Sequence, residues 1–242
     1  MHNKLIDVAR CCAAILAASL FISPCISLAQ DSQQATALPP APDVDLTIEY
    51  YNRELSADGV LHESSYRETM LRRNGHVWTQ RVLPDSAKND TAHQSHEHKD
   101  FNYIVLLRHV KFDGSKTAVE FIDTHERQVI YIAPTEYENI NFDGSWLNTY
   151  YLINPQYIAS MPASSRPSAS AESQWYELSK KELFQRVLWD KKLNIPLVIE
   201  TGDKAGTYMQ RVRIQPKAKL AKSLPWNNLQ GYTQKEYSDF LD

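Results

Sequence analysis

The chain has 242 residues, 43% of them hydrophobic and 23% charged, and a formal net charge of −3 from 26 basic and 29 acidic side chains. That near balance leaves no electrostatic footprint for nucleic acid, and the length supports one packed core rather than a stapled miniature domain. All three cysteines fall before residue 26, which excludes disulfides and thiolate chemistry from the rest of the chain.

Residues 1–29 read as a secretory signal peptide. Lys4 and Arg10 flank its start, Cys11 to Ile22 is almost wholly apolar, and Ser27-Leu28-Ala29 closes it with small residues, the three parts an export leader needs. The apolar run is too short for a permanent membrane helix, and no later stretch approaches spanning length. Cleavage near Ala29 predicts a periplasmic chain without cysteine. A lipoprotein cut ahead of Cys25 ranks second, because Pro24 directly before it suits the peptidase poorly. Residues 30–43 form a Gln-, Ala- and Pro-rich linker with too little apolar content to fold.

The folded domain is expected over residues 44–216. Leu46 to Glu54, Leu61 to Arg72 and Val77 to Leu83 read as an antiparallel meander, its second turn at Asn74-Gly75, a strong hairpin signal. After a histidine-bearing loop, Phe101 to Phe112 fits a strand ending at Asp113-Gly114, followed by short strands at Ala118 to Ile122 and Val129 to Ala133. Trp146 to Met161 is the predicted helix, with Ser145 as N-cap and Pro155 as a break or kink. Four more strands follow, at Gln174 to Leu178, Leu183 to Asp190, Leu197 to Thr201 and Thr207 to Ile214. Residues 217–242 form a tail in which Tyr237, Phe240 and Leu241 at helical spacing predict a short docking helix, with a partner-recruiting arm as the alternative. The sum is an α+β fold dominated by one antiparallel sheet of about nine or ten strands. Such a sheet tends to curl, and the absence of a βαβ alternation argues against a doubly wound nucleotide fold.

The stretch Trp189-Asp190-Lys191-Lys192-Leu193-Asn194-Ile195-Pro196-Leu197-Val198-Ile199-Glu200, followed by a Gly-containing turn and Tyr208 to Ile214, resembles a strand pair of the LolA/LolB/RseB-like periplasmic lipoprotein-carrier and sensor family. The leader and the order of elements are similar too. The resemblance implies a strongly curved sheet, an open half-barrel with a helical lid or plug. It also implies non-enzymatic binding of an apolar or lipid-like ligand or a lipidated partner, as in outer membrane lipoprotein sorting. The family's acyl-holding positions do not align residue by residue onto Leu46 to Arg72, and the histidine loop and the tail have no counterpart in it.

The residues alone lead to a similar place. A curved sheet with an aromatic helix across its mouth would enclose an apolar hollow. Candidate lining residues are Tyr50, Trp78, Tyr103 and Phe121 on the first strands, and Tyr131, Trp146, Tyr150 and Trp189 beyond them. Plain core packing accounts for any large aromatic equally well.

His93, His96 and His98 lie in the segment HQSHEHKD. An irregular loop could converge them, with His109 reaching in from a strand, on zinc or copper(II); a solvated loop that binds metal weakly is the simpler account. His62-Glu63-Ser64-Ser65-Tyr66 lacks the second histidine of a zincin and sits on a predicted strand. Phe112-Asp113-Gly114-Ser115 and Phe142-Asp143-Gly144-Ser145 are turn signals, not nucleophile elbows. No Gly-rich phosphate loop occurs. The sequence therefore points first to a non-enzymatic carrier without a resident cofactor, second to a periplasmic metal-binding accessory protein, and third to a hydrolase.

Overall fold

The computed structural model describes residues 41–84 and 101–241. The leader, the linker up to residue 40, and His93, His96 and His98 lie outside the described residues. The strands are β1 (Val44–Leu55), β2 (Leu61–Arg73), β3 (His76–Val82), β4 (Leu107–Phe112), β5 (Thr117–Asp123) and β6 (Gln128–Ile132), then β7 (Ser173–Lys180), β8 (Leu183–Asp190), β9 (Ile195–Asp203), β10 (Tyr208–Pro216) and β11 (Thr233–Glu236). Two helices, α1 (Trp146–Tyr151) and α2 (Pro155–Ser160), lie between β6 and β7, and short 3-10 turns occupy Pro134–Ile140, Pro225–Asn228 and Tyr237–Phe240.

All eleven strands join one sheet in the order β11-β6-β5-β4-β3-β2-β1-β10-β9-β8-β7. β1 pairs antiparallel with β10 and so welds an N-terminal meander, β1 to β6, to a C-terminal one, β7 to β10. Among the described strands only β11 runs parallel to its neighbour, β6. Among the described residues β7 and β11 are the two edges and do not pair with each other, so the sheet they border is open.

Turn chemistry sets the corners. Gly75 has φ +71°, and a Cβ there would meet the Phe112 carbonyl oxygen at 3.0 Å, so the β2–β3 turn requires glycine. Asp113 accepts from the backbone amides of Ser115 and Lys116, each at 2.8 Å, and these bonds pull its carboxyl down to about 2. Asp143 repeats the motif by accepting from the Ser145 amide. Both FDGS segments are thus Asx-type turns, and neither presents a serine to chemistry.

Side chains one row apart fall on opposite faces. Leu46, Met70, Thr79, Arg108, Phe121 and Ile130 are successive cross-strand neighbours on the inner face. The next row, Leu71, Trp78, His109, Glu120 and Tyr131, occupies the outer face. The main core lies on the inner face, where Leu46, Ile48, Met70, Val119 and Ile132 are buried beneath Tyr150, Tyr151 and Ile158 of the helices. A smaller cluster of Trp78, Ile122 and Val129 lies on the outer face, covered by Trp226, Leu229 and Tyr232 of the tail.

Three segments differ from the sequence expectation. Phe101 to Leu106 is not strand; Val105 and Leu106 both donate to the Asn102 carbonyl in a turn, and Phe101 packs edge-on against Phe121 and Tyr237. The predicted helix is two. Ser145 caps α1 by accepting from Asn148, but Leu152 adopts φ +65°, and Asn154 starts α2 with Pro155 in its first turn. The tail forms β11 before its final 3-10 turn, which docks Tyr237 and Phe240 onto Phe101.

Candidate functional site

The inner face carries a cavity of about 820 Å³. Its floor is Ile48, Met70 and Val77 from β1, β2 and β3; Phe184, Ile199 and Tyr208 come from β8, β9 and β10. Strands as far apart in the order as β4 and β8 face one space, which requires the sheet to curve around it. Leu152, Ile153 and Tyr157, from the α1–α2 segment, close part of the perimeter, and the Tyr157 hydroxyl donates to Gln185 on β8. Lys180, Lys181 and Glu182 at the β7–β8 turn border the cavity.

A polar group lies beside this apolar floor. The Tyr50 hydroxyl donates to Glu68 Oε2 at 3.1 Å, and its ring stacks on Tyr66 with centroids 4.4 Å apart. Burial, then the Glu68 charge, pushes the Tyr50 phenol well above its usual value, so it stays a proton donor. The Arg81 guanidinium lies 4.1 Å from the centroid of the Tyr66 ring. Arg108 Nε donates to Thr79 Oγ1 at 3.3 Å. A second recess of about 250 Å³ opens here, lined by Tyr66, Arg81, Tyr103 and Phe121, and it shares Glu68, Thr79, Arg108 and Asn141 with the larger cavity.

The residues singled out in the sequence divide among several places. Tyr50 lines the large cavity and Tyr103 and Phe121 the recess. Trp146 stacks on Phe112 at 5.2 Å and tilts against Tyr150 at 4.9 Å; Tyr150 is buried and donates to the Ala41 carbonyl. Trp189 is buried in the main core. Trp78 belongs to the outer-face cluster, and Tyr131, in the same outer row, is exposed. His109 is on that face too. Its Nε2 lies 3.0 Å from His76 Nδ1, its Nδ1 3.6 Å from Glu120 Oε2, and Trp226 stacks over both imidazoles. Among the described residues no group of three or more His, Cys, Asp or Glu could hold a metal ion.

Sequence reasoning missed Glu68, Thr79, Arg81 and Arg108 at the site. The signal was present on β2, where Tyr66, Glu68 and Met70 share a face and the charge interrupts two residues that would otherwise be core.

No family model matches the chain, and no curated protein matches it. Solved structures do. The chain is similar to PNGF-II at 10% identity over 81% of its own length and 33% of that chain, with a TM-score of 0.37; it spans a third of the length of that protein. It is similar to MucB in the MucA/MucB complex of Pseudomonas aeruginosa at 10% identity over 77% of this chain and 55% of that one, with a TM-score of 0.36. A LolA superfamily protein from Nitrosomonas europaea matches at 8% identity over 77% of this chain and 92% of that one, with a TM-score of 0.34. The likeness is distant. No residue role is carried across from it, and the strand order and the cavity rest on the geometry given above.

Proposed function

We propose that the protein is a non-enzymatic periplasmic binding or carrier protein that holds an apolar or lipid-like ligand, or the lipid of a lipidated partner, on the inner face of its sheet. The observation that carries this reading is the cavity itself. Its volume of about 820 Å³ falls within the roughly 300–1,000 Å³ usual for small-molecule sites, and the half-buried apolar side chains around it, Leu152, Tyr157, Phe184, Ile199 and Tyr208, would gain about 25 cal/mol for each Å² of apolar surface withdrawn from water. The α1–α2 segment acts as the lid, with Leu152, Ile153 and Tyr157 turned to the ligand. The leader-like residues 1–29 support the periplasmic assignment.

The test is titration with a naphthylamine probe that fluoresces in apolar surroundings. Saturable enhancement in the native protein is expected, with loss of the signal in Ile199→Trp, which fills the cavity, at an unchanged melting temperature. A native protein that leaves the probe dark at every concentration refutes the carrier reading.

A further inference from the structure

Two spaces of opposite character meet at one cation. The large cavity has an apolar floor, whereas the recess holds Arg81, Arg108 and Glu68 around Tyr66, Thr79 and Asn141. Arg108 belongs to both. Its Nε is engaged by Thr79, which fixes the plane of the guanidinium and leaves Nη1 and Nη2 without a partner among the described residues. Two other arginines of the sheet are already neutralised: Arg186 Nε is paired with the Glu177 carboxylate at 3.0 Å and Arg211 Nε with that of Glu200 at 2.9 Å, whereas the partner of Arg108 is an uncharged hydroxyl. A half-buried guanidinium with both terminal amino groups unspent, held flat by a neighbour, has the donor pattern that receives a carboxylate or phosphate through two parallel hydrogen bonds.

The local charge agrees. Arg81 stacks on Tyr66 and stands directly across from Glu68 in the β2–β3 register, and Glu68 accepts from Tyr50. Among the described residues two cations therefore face one carboxylate, and the recess they line carries one positive charge in excess. An anion entering it would complete the balance, while a second cation would not.

Resting on the carrier reading above, we infer that the occupant is a single-chain anionic amphiphile, with its hydrocarbon chain in the large cavity and its carboxylate or phosphate head in the recess against Arg108. Size restricts the chain number. If a methylene takes about the 30 Å³ of a water molecule, a chain of roughly sixteen carbons needs on the order of 500 Å³ and two such chains about 1,000 Å³. The cavity of about 820 Å³ holds one such chain whole, while a second would leave part of its length outside.

The test compares four sixteen-carbon ligands below their micellar concentrations by displacement of the naphthylamine probe: palmitate, hexadecyl phosphate, hexadecanol and hexadecyltrimethylammonium. At least one of the two anions should bind about tenfold or more tightly than hexadecanol, the worth of one charge-assisted pair, with the cation weakest; which anion gains identifies the head group. Arg108→Gln should remove that advantage, weakening the anions far more than hexadecanol at an unchanged melting temperature, Arg108→Lys should retain part of it, and Glu68→Gln should raise it. Equal affinity for anions and alcohol, or an anion advantage that survives Arg108→Gln, overturns the head-group assignment and leaves the cavity reading standing. Failure of all four ligands to displace the probe overturns the amphiphile proposal, and if the probe itself does not bind, the carrier reading goes with it.

Discussion

The guanidinium of Arg72 lies 4.9 Å from the centroid of the Tyr150 ring and donates to the carbonyl of the same tyrosine at 3.3 Å. The side chain is fully buried, and it also donates to the carbonyls of Leu193 at 2.7 Å and Pro42 at 2.9 Å. One residue of β2 thereby ties α1, the β8–β9 turn and the segment ahead of β1 together. Burial lowers its pKa from the ordinary arginine value, and carbonyl oxygens and ring faces take the place of a carboxylate partner. Arg72→Met should leave those carbonyls unsatisfied and cost about 3–5 kcal/mol of unfolding free energy, measured by urea denaturation. A loss below about 1 kcal/mol would show that the tie is dispensable.

The outer face predicts an acid response. His76 lies parallel beneath Trp226, with centroids 5.1 Å apart. Burial, and then the nearby His109 and Lys111, lowers its pKa from 6.5, while Glu120 opposes them. Because the folded state prefers the neutral imidazole, the stability it contributes is fully present above about pH 6.5. That contribution declines as pH falls from there toward the lowered folded value. Burial raises the Glu120 carboxyl, but the adjacent His109 imidazole and the hydrogen bond and charge of Lys111 outweigh this and hold it below 4.5, so its contribution is lost only in stronger acid. The melting temperature should fall between pH 7 and pH 5.5, and His76→Gln should flatten that slope.

Removal of the tail tests its cover. A chain ending at Lys222 lacks Trp226, Leu229 and Tyr232 over Trp78, Ile122 and Val129, and lacks β11 along β6. It should melt lower, bind an anionic dye for exposed apolar surface, and self-associate with rising concentration through the bared strand. An unchanged melt would assign the tail to recruitment instead.

Gly202 on β9 packs close against β10 and β8. A Cβ would lie 2.7 Å from the Tyr208 carbonyl oxygen and 3.0 Å from the Phe184 ring. The backbone must give way, so Gly202→Ala should cost about 1–3 kcal/mol. Phe184 and Tyr208 both line the cavity, and probe affinity should weaken alongside stability. A variant as stable as the parent would mean the strands separate freely at that point.

The strands β1 to β3 and β7 to β10 were legible because alternation and Asn74-Gly75 act locally. β11 was not: Thr233-Gln234-Lys235-Glu236 has no apolar alternation, and its strand form comes from amides and carbonyls offered by β6. Placement of Trp78 and His109 failed for a related reason. Val77 and Trp78 are both buried, and alternation puts them on opposite faces without naming the side that holds the hollow. That was decided by Trp226, far along the chain. Arg108 was legible as a charge on a strand, but its role depends on Thr79, supplied by another strand. The histidine-rich segment that drew attention in the sequence lies outside the described residues, and the amphiphile site owes nothing to it.

The parallel pairing of β11 with β6 imposes a timetable. β6 ends at Ile132, whereas β11 begins at Thr233, so during synthesis or translocation one border of the sheet waits, unpaired, until nearly all the intervening chain has emerged. Closing so long a loop is slow, and an unprotected border during that delay invites association between molecules. Maturation of this protein should therefore be more sensitive to expression rate, and to the presence of a holding chaperone, than its finished stability would suggest.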